Sequence, residues 1–171
     1  MRKFIVAMFA LAVISSPAAA QNLTADVSLG KDSRIVKTVN VEDLKAIVVA
    51  SGYKVTGVGG NGKVSVQAKT EDGLIFLLIG AACGTDGKSP DCQGINMQVR
   101  YDADDNVTLE AINTSNLSFA ATSTWYDEGG NTVGISRYVI LDHGVSMGSI
   151  RINLETLLSI SSQVTEIIWP S

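Results

Sequence analysis

From residue 40 onward the spacing of apolar residues changes several times, and each change marks an element. Val41, Leu44, Ile47 and Val48 fall three and four apart, the spacing of one helix face. Asn40 is a good N-cap ahead of them, Asp43 suits the positive end of the helix dipole, and Gly52 is placed to end the helix in a left-handed conformation. A short strand starts at Tyr53, Val55 and Val58. Val64, Val66 and Ala68 then alternate with Lys63, Ser65, Gln67 and Lys69, the period-2 signature of a sheet with one wet face. Residues 74–79 are almost wholly apolar and read as a central strand, and Ile95, Met97, Val99 and Tyr101 alternate again. The connections are short, so these four strands form an antiparallel meander.

A second helix is predicted over 107–117. Strands at 119–126 and 132–141 follow, joined by the hairpin turn Asp127-Glu128-Gly129-Gly130-Asn131. Asp142-His143-Gly144 breaks the run. A last helix begins near Ser146 and reaches about residue 167, with Ile150, Leu154, Leu157, Leu158 and Ile168 at helical spacing. Residues 21–37 carry weak signals and read as an extended lead-in, whose Leu23, Val27, Leu29 and Ile35 could pair late with a sheet edge. The order is helix, four strands, helix, two strands, helix. That is an α+β domain over 38–171, with helices packed on an antiparallel sheet of five to six strands.

The first twenty residues change the setting. Arg2 and Lys3 precede an uninterrupted apolar run over 4–14, then Ser15-Ser16-Pro17 and Ala18-Ala19-Ala20 ahead of Gln21. This is the layout of a secretory signal peptide cut after Ala20, and the run is shorter than the roughly 20 residues a spanning helix needs. The expected protein is therefore periplasmic, without stable membrane insertion after cleavage. The formal charge of −4 becomes −6 once Arg2 and Lys3 leave, because the segment holds no acid. The charges are interspersed with no basic cluster, which argues against nucleic acid as a partner.

Cys83 and Cys92 are the only cysteines and flank the turn-rich loop 84–91. In an oxidising compartment they read as a disulfide; a redox pair is the rival reading, with a spacing wider than Cys-x-x-Cys. Two thiols and one His are too few for a zinc site. No metal or cofactor is expected.

Three segments imitate catalytic or binding motifs. Gly57-Val58-Gly59-Gly60-Asn61-Gly62-Lys63-Val64 approaches a phosphate-binding loop, but Val64 stands where Ser or Thr must hold magnesium, and a strand follows instead of a helix. Gly144-Val145-Ser146-Met147-Gly148 spells a nucleophile elbow. Its only possible base, His143, lies before the serine instead of after it, so Ser146 reads as a helix cap. Asp102-Ala103-Asp104-Asp105-Asn106 begins like a calcium loop, yet Val107 and Asn113 occupy the required Gly and Glu positions. Arg137 and Tyr138 sit on a strand whose polar face could form a ligand groove, and Trp125-Tyr126 reads as one core and one rim aromatic.

The stretch Val107-Thr108-Leu109-Glu110-Ala111-Ile112-Asn113-Thr114-Ser115-Asn116 resembles the helix of the YbjN-domain family, whose pattern is Ile-Asn-x-Trp-Asn. Asn113 and Asn116 match its asparagines; Ser115 stands where Trp is usual. Tyr126-Asp127-Glu128-Gly129-Gly130, the Gly144-Val145-Ser146 helix start, and the segment from Asn40 to Gly52-Tyr53 also match. So does the cysteine pair of the extracytoplasmic members. The resemblance covers about residues 38–168. It implies a fold like the type III secretion chaperones, no established enzymatic activity, and a link to sensory or stress regulation.

The function expected is a non-enzymatic, chaperone-like or regulatory module binding a protein or peptide. The alternative is a small-molecule or lipid carrier with a pocket between the C-terminal helix and the sheet. Asn113 and Asn116 are the candidate structural or recognition residues, with fixing a strand edge as the preferred role. Related folds often dimerise, so a homodimer stays open, although no self-complementary apolar strip stands out.

Overall fold

The N-cap predicted at Asn40 is formed and reciprocated. Its Oδ1 accepts from the backbone N–H of Glu42 (3.0 Å) and Asp43 (3.1 Å), while Asp43 Oδ2 accepts from Asn40 N–H (3.1 Å). Gly52, at φ 81°, turns the chain out of this helix. A computed structural model of the chain describes residues 25–84 and 91–170. The signal-peptide reading of 1–20, Leu23 and loop positions 85–90 lie outside the described residues.

In chain order the elements are a 3-10 turn (Val27–Gly30), β1 (Ile35–Val36), α1 (Val41–Ala50), β2 (Lys54–Val58), β3 (Ser65–Lys69), β4 (Ile75–Cys83) and β5 (Cys92–Asp102). Then follow α2 (Leu109–Ser118), β6 (Ser123–Asp127), β7 (Thr132–Ile140), β8 (Val145–Ser146) and α3 (Met147–Ile168). Six strands form one antiparallel sheet in the order β2-β3-β4-β5-β7-β6, and β1 pairs with β8 in a separate two-stranded ribbon. This is the α+β architecture expected from the sequence.

Register decides what each face carries. Phe76 lies opposite Val99, Leu78 opposite Met97, Ile95 opposite Val139, and Val99 opposite Ile135. All but Val139, at 7%, are fully buried. The helices cover this face: α1 lies against β2 and β3, α3 crosses β5 and β7, and α2 packs on β6 and α3. Ile150, Leu154, Leu157 and Val164 of α3 have no exposed surface. Each such side chain contributes about 1.5–3 kcal/mol by leaving water.

Two expectations are corrected. The lead-in does not run extended to an edge of the main sheet. It coils through the 3-10 turn, and β1 pairs with β8. Val36 is buried and Ile35 is 59% exposed, so the apolar position that packs is the neighbour of the one expected. Met147 N–H donates to Arg34 O (2.8 Å) and Gly148 N–H to Asp32 O (3.0 Å), while Arg34 pairs with Asp43 and Asp32 with Arg151. These bonds tie the segment to α1 and to the start of α3. The strand expected from residue 119 starts only at Ser123. Phe119 caps α2, donating N–H to Ser115 O, and a turn closed by Thr122 N–H to Phe119 O comes first.

Candidate functional site

The pleat that points Phe76 and Leu78 at the helices points Ile75, Leu77 and Ile79 the other way. Among the described residues no helix covers that side. Opposite Leu77 lie Gln67 and Gln98; opposite Ile79 lie Ser65 and Asn96; and Asn96 faces Tyr138. Ile75, Tyr138 and Ile140 are 52%, 52% and 65% exposed. The uncovered face thus holds an apolar stripe on β4, a polar column on β5, and aromatics toward β7 and β6.

Two glycines make room for those aromatics. A Cβ on Gly134 would collide with the Trp125 ring, and one on Gly94 with the Tyr138 phenol. Both rings therefore lie across the sheet. Arg100 continues the layer: its Nε and Nη2 donate to Gln98 Oε1 (2.9 and 2.6 Å), and its guanidinium sits 5.8 Å from the Trp125 ring centre, within cation–π range.

A half-open groove of about 440 Å³ runs over β4, floored by Leu77 and Ile79 and walled by Lys63, Val64 and Arg100, with Cys83 at one end. Cys83 and Cys92 are joined in a disulfide. They are directly paired across β4 and β5, with Cys92 buried and Cys83 exposed at the groove. Val39 bridges to Cys92 through two backbone bonds of 2.9 Å, so the cystine joins the strap before α1 to the sheet. The sequence missed the groove because Leu77, Ile79, Lys63 and Arg100 come from three strand regions that only pairing assembles.

The expected residues fall in different places. Asn116 Oδ1 accepts from Thr124 N–H (2.8 Å), and its Nδ2 donates to Thr124 O (2.9 Å) and Ile112 O (3.1 Å). It meets β6 as a neighbouring strand would. Ser115, in the position where the family carries Trp, is buried and shares a 2.7 Å hydrogen bond with Thr124 Oγ1. Asn113 is exposed on the outside of α2, between Leu109 and Leu117, which are 75% and 80% exposed. That i, i+4, i+8 strip was present in the sequence and overlooked.

Ser146 Oγ accepts from Ser149 N–H (3.1 Å) as the α3 cap, and the His143 side chain is 95% exposed. Arg137 and Tyr138 part company. Arg137 points to the helices, donating to Asn153 Oδ1 (2.6 Å) and Ala121 O, whereas Tyr138 lies on the uncovered face. Asp104 accepts from Trp169 Nε1 (2.9 Å) and from Asn106. The Trp169 bond, with those from Asn106, holds its carboxyl below the usual aspartate range. Trp169 also packs edge-on against Tyr101 (5.7 Å), whose phenol burial pushes upward. Among the described residues no three His, Cys, Asp or Glu gather as a metal site.

The pocket expected between the C-terminal helix and the sheet is filled by Ile150, Leu154 and Leu157. A surface cleft of about 520 Å³ opens between Tyr53, Thr70, Leu74 and Leu158. No helix among the described residues is long and apolar enough to cross a membrane.

Comparison with known proteins adds the family. A solved structure described as "Crystal structure of YbjN, a putative transcription regulator from E. coli" is 10% identical with a TM-score of 0.59, covering 79% of this chain and 93% of that one. An uncharacterized protein from Methanothermobacter thermautotrophicus is 10% identical with a TM-score of 0.52, over 76% and 96% of the two chains. A chain from the HopA1–SchA chaperone–effector complex is 9% identical with a TM-score of 0.48, over 66% and 81%. No curated protein matches the chain. The family model "YbjN: Putative bacterial sensory transduction regulator" matches residues 40–166, well over half the sequence, and the chain belongs to that family.

Proposed function

We propose that this protein is a non-enzymatic regulatory or chaperone-like module of the periplasm that binds a protein segment on the uncovered face of its sheet. The observation that carries this reading is the apolar stripe on β4 with its groove, joined across the polar β5 column by exposed Tyr138 and Ile140. Exposed apolar surface rimmed by polar residues marks an interaction site. Family membership supports a regulatory role. The capping bond of Ser146 supports a structural use of the elbow-like sequence.

The periplasmic setting rests on the signal-peptide pattern and on the Cys83–Cys92 bond. N-terminal sequencing of protein made in its host should begin at Gln21; a retained Met1 would remove that setting. The binding reading is tested by placing a photo-crosslinking residue at position 140 on the uncovered face, or at position 155 on α3, in the host periplasm. A protein captured from 140 and not from 155 is expected. Equal capture from both positions would count against the face.

A second copy is compatible with this module. Leu109 and Leu117 are symmetric about Asn113, so antiparallel α2 helices would pack Leu on Leu across a two-fold axis. Sedimentation of wild type beside Leu117→Glu tests this: a dimer that the substitution dissociates supports it.

A further inference from the structure

We infer that the β4 groove receives an extended polypeptide segment in which apolar residues alternate with acidic ones. This inference rests on the interaction reading above and names the chemistry of the partner.

The groove's charge is the first argument. Among the described residues that line it, the two charged ones are Lys63 and Arg100, and both are cations. Lys69 lies opposite Ile75 at one end of the apolar stripe, and Lys54 lies opposite Lys69. Of the acids near this sheet face, Asp102 and Asp127 stand at the far corner, both paired with Thr132, while Glu71 shares a cleft with Lys54 and Lys69 beyond the end of the stripe. In a chain of net charge −4, the charges that line the groove itself are thus the cations Lys63 and Arg100. Acidic groups on a ligand would gain from that rim, and basic ones would be repelled.

The floor's spacing is the second argument. Ile75, Leu77 and Ile79 are alternate residues of one strand, so they recur about every 6.6–6.8 Å. An extended peptide running along β4 presents alternate side chains at the same interval. Its apolar residues would seat on the stripe while those between them face the cationic rim.

The groove's openness favours a peptide over an acyl chain. Carrier sites bury about 70–90% of a small ligand. This groove is half-open, with its floor on one side of a single strand. An alkyl tail laid there would keep much of its surface in water, whereas a peptide can turn its polar side outward.

The test uses the mature chain and three fluorescein-labelled probes: a decapeptide alternating leucine with glutamate, the same peptide with lysine for glutamate, and laurate. Anisotropy is read for wild type, for Ile79→Asp, and for the double variant Lys63→Glu/Arg100→Glu, each checked for an unchanged urea midpoint. Saturable binding of the glutamate peptide is expected, weakened at least tenfold by Ile79→Asp and by charge reversal, with the reversed variant now preferring the lysine peptide.

Equal binding of both peptides, or indifference to charge reversal, overturns the proposal. Laurate binding that Ile79→Asp abolishes, with no peptide bound, overturns both this inference and the interaction reading in favour of a carrier. If no probe binds while position 140 still captures a protein, the inference fails and the interaction reading stands.

Discussion

Leu77 and Leu78 are adjacent leucines on β4, and they live in different solvents. Leu78 lies opposite Met97 under the helices with no exposed surface, while Leu77 lies opposite Gln98 and floors an open groove. Composition cannot distinguish them. The helix-covered face carries the fold, and the proposed binding lies on the other, so stability and recognition should separate residue by residue along one strand.

The largest expected effect sharpens this contrast. Leu78→Ala should cost about 2–5 kcal/mol in urea unfolding, through lost burial and the cavity left behind. Leu77→Ala should cost ~1 kcal/mol or less. Equal losses at the two positions would break the comparison and imply that something else covers the groove.

The cystine spans the two environments, since Cys92 is buried and Cys83 exposed. Reducing it should lower stability by about 2.5–3 kcal/mol, the chain-entropy value for so short a ring. A shift in urea midpoint with and without reductant measures this.

On α2 the contrast is between two exposed asparagines, of which Asn116 is bonded to β6. Asn116→Ala removes three hydrogen bonds, two of them to the backbone of β6, and should cost about 2 kcal/mol. Asn113→Ala, on the exposed side, should stay within about 0.5 kcal/mol. At α3, Ser146→Ala should cost about 1 kcal/mol through the lost cap, and no loss in urea unfolding would remove that structural role.

The smallest effect is on pH. The Asp104 carboxyl titrates below its ordinary value of 3.8, so the Trp169 tether is intact above that value and is lost as pH falls through the lowered one. The Trp169 indole N–H resonance should move in that acidic window and stay still in Asp104→Ala.

Much of the fold was legible because local rules are strong where they apply. Asn40 announced an N-cap, Gly52 a left-handed exit, and Val64 to Lys69 a half-wet strand. The errors arose where tertiary partners decide. Residues 119–122 have strand-like composition but serve the exit from α2. The lead-in found its partner at Val145–Ser146, over a hundred residues away, which no local pattern announces. The site was less legible still. Asn116 stood out by resemblance, yet its hydrogen bonds to Thr124 depend on β6 returning beside α2. The apolar run at β4 read as a central strand, with no hint that half of it meets no helix.

By itself the sequence determined the three helices, most of the six strands of the main sheet, the cysteine pair and the family pattern. Each of these depends on neighbours a few residues apart or on a choice of two. Only the tertiary structure decided which face of the sheet the three helices would cover. An almost wholly apolar strand offers both its faces, and the side left bare is set by where α1, α2 and α3 can reach.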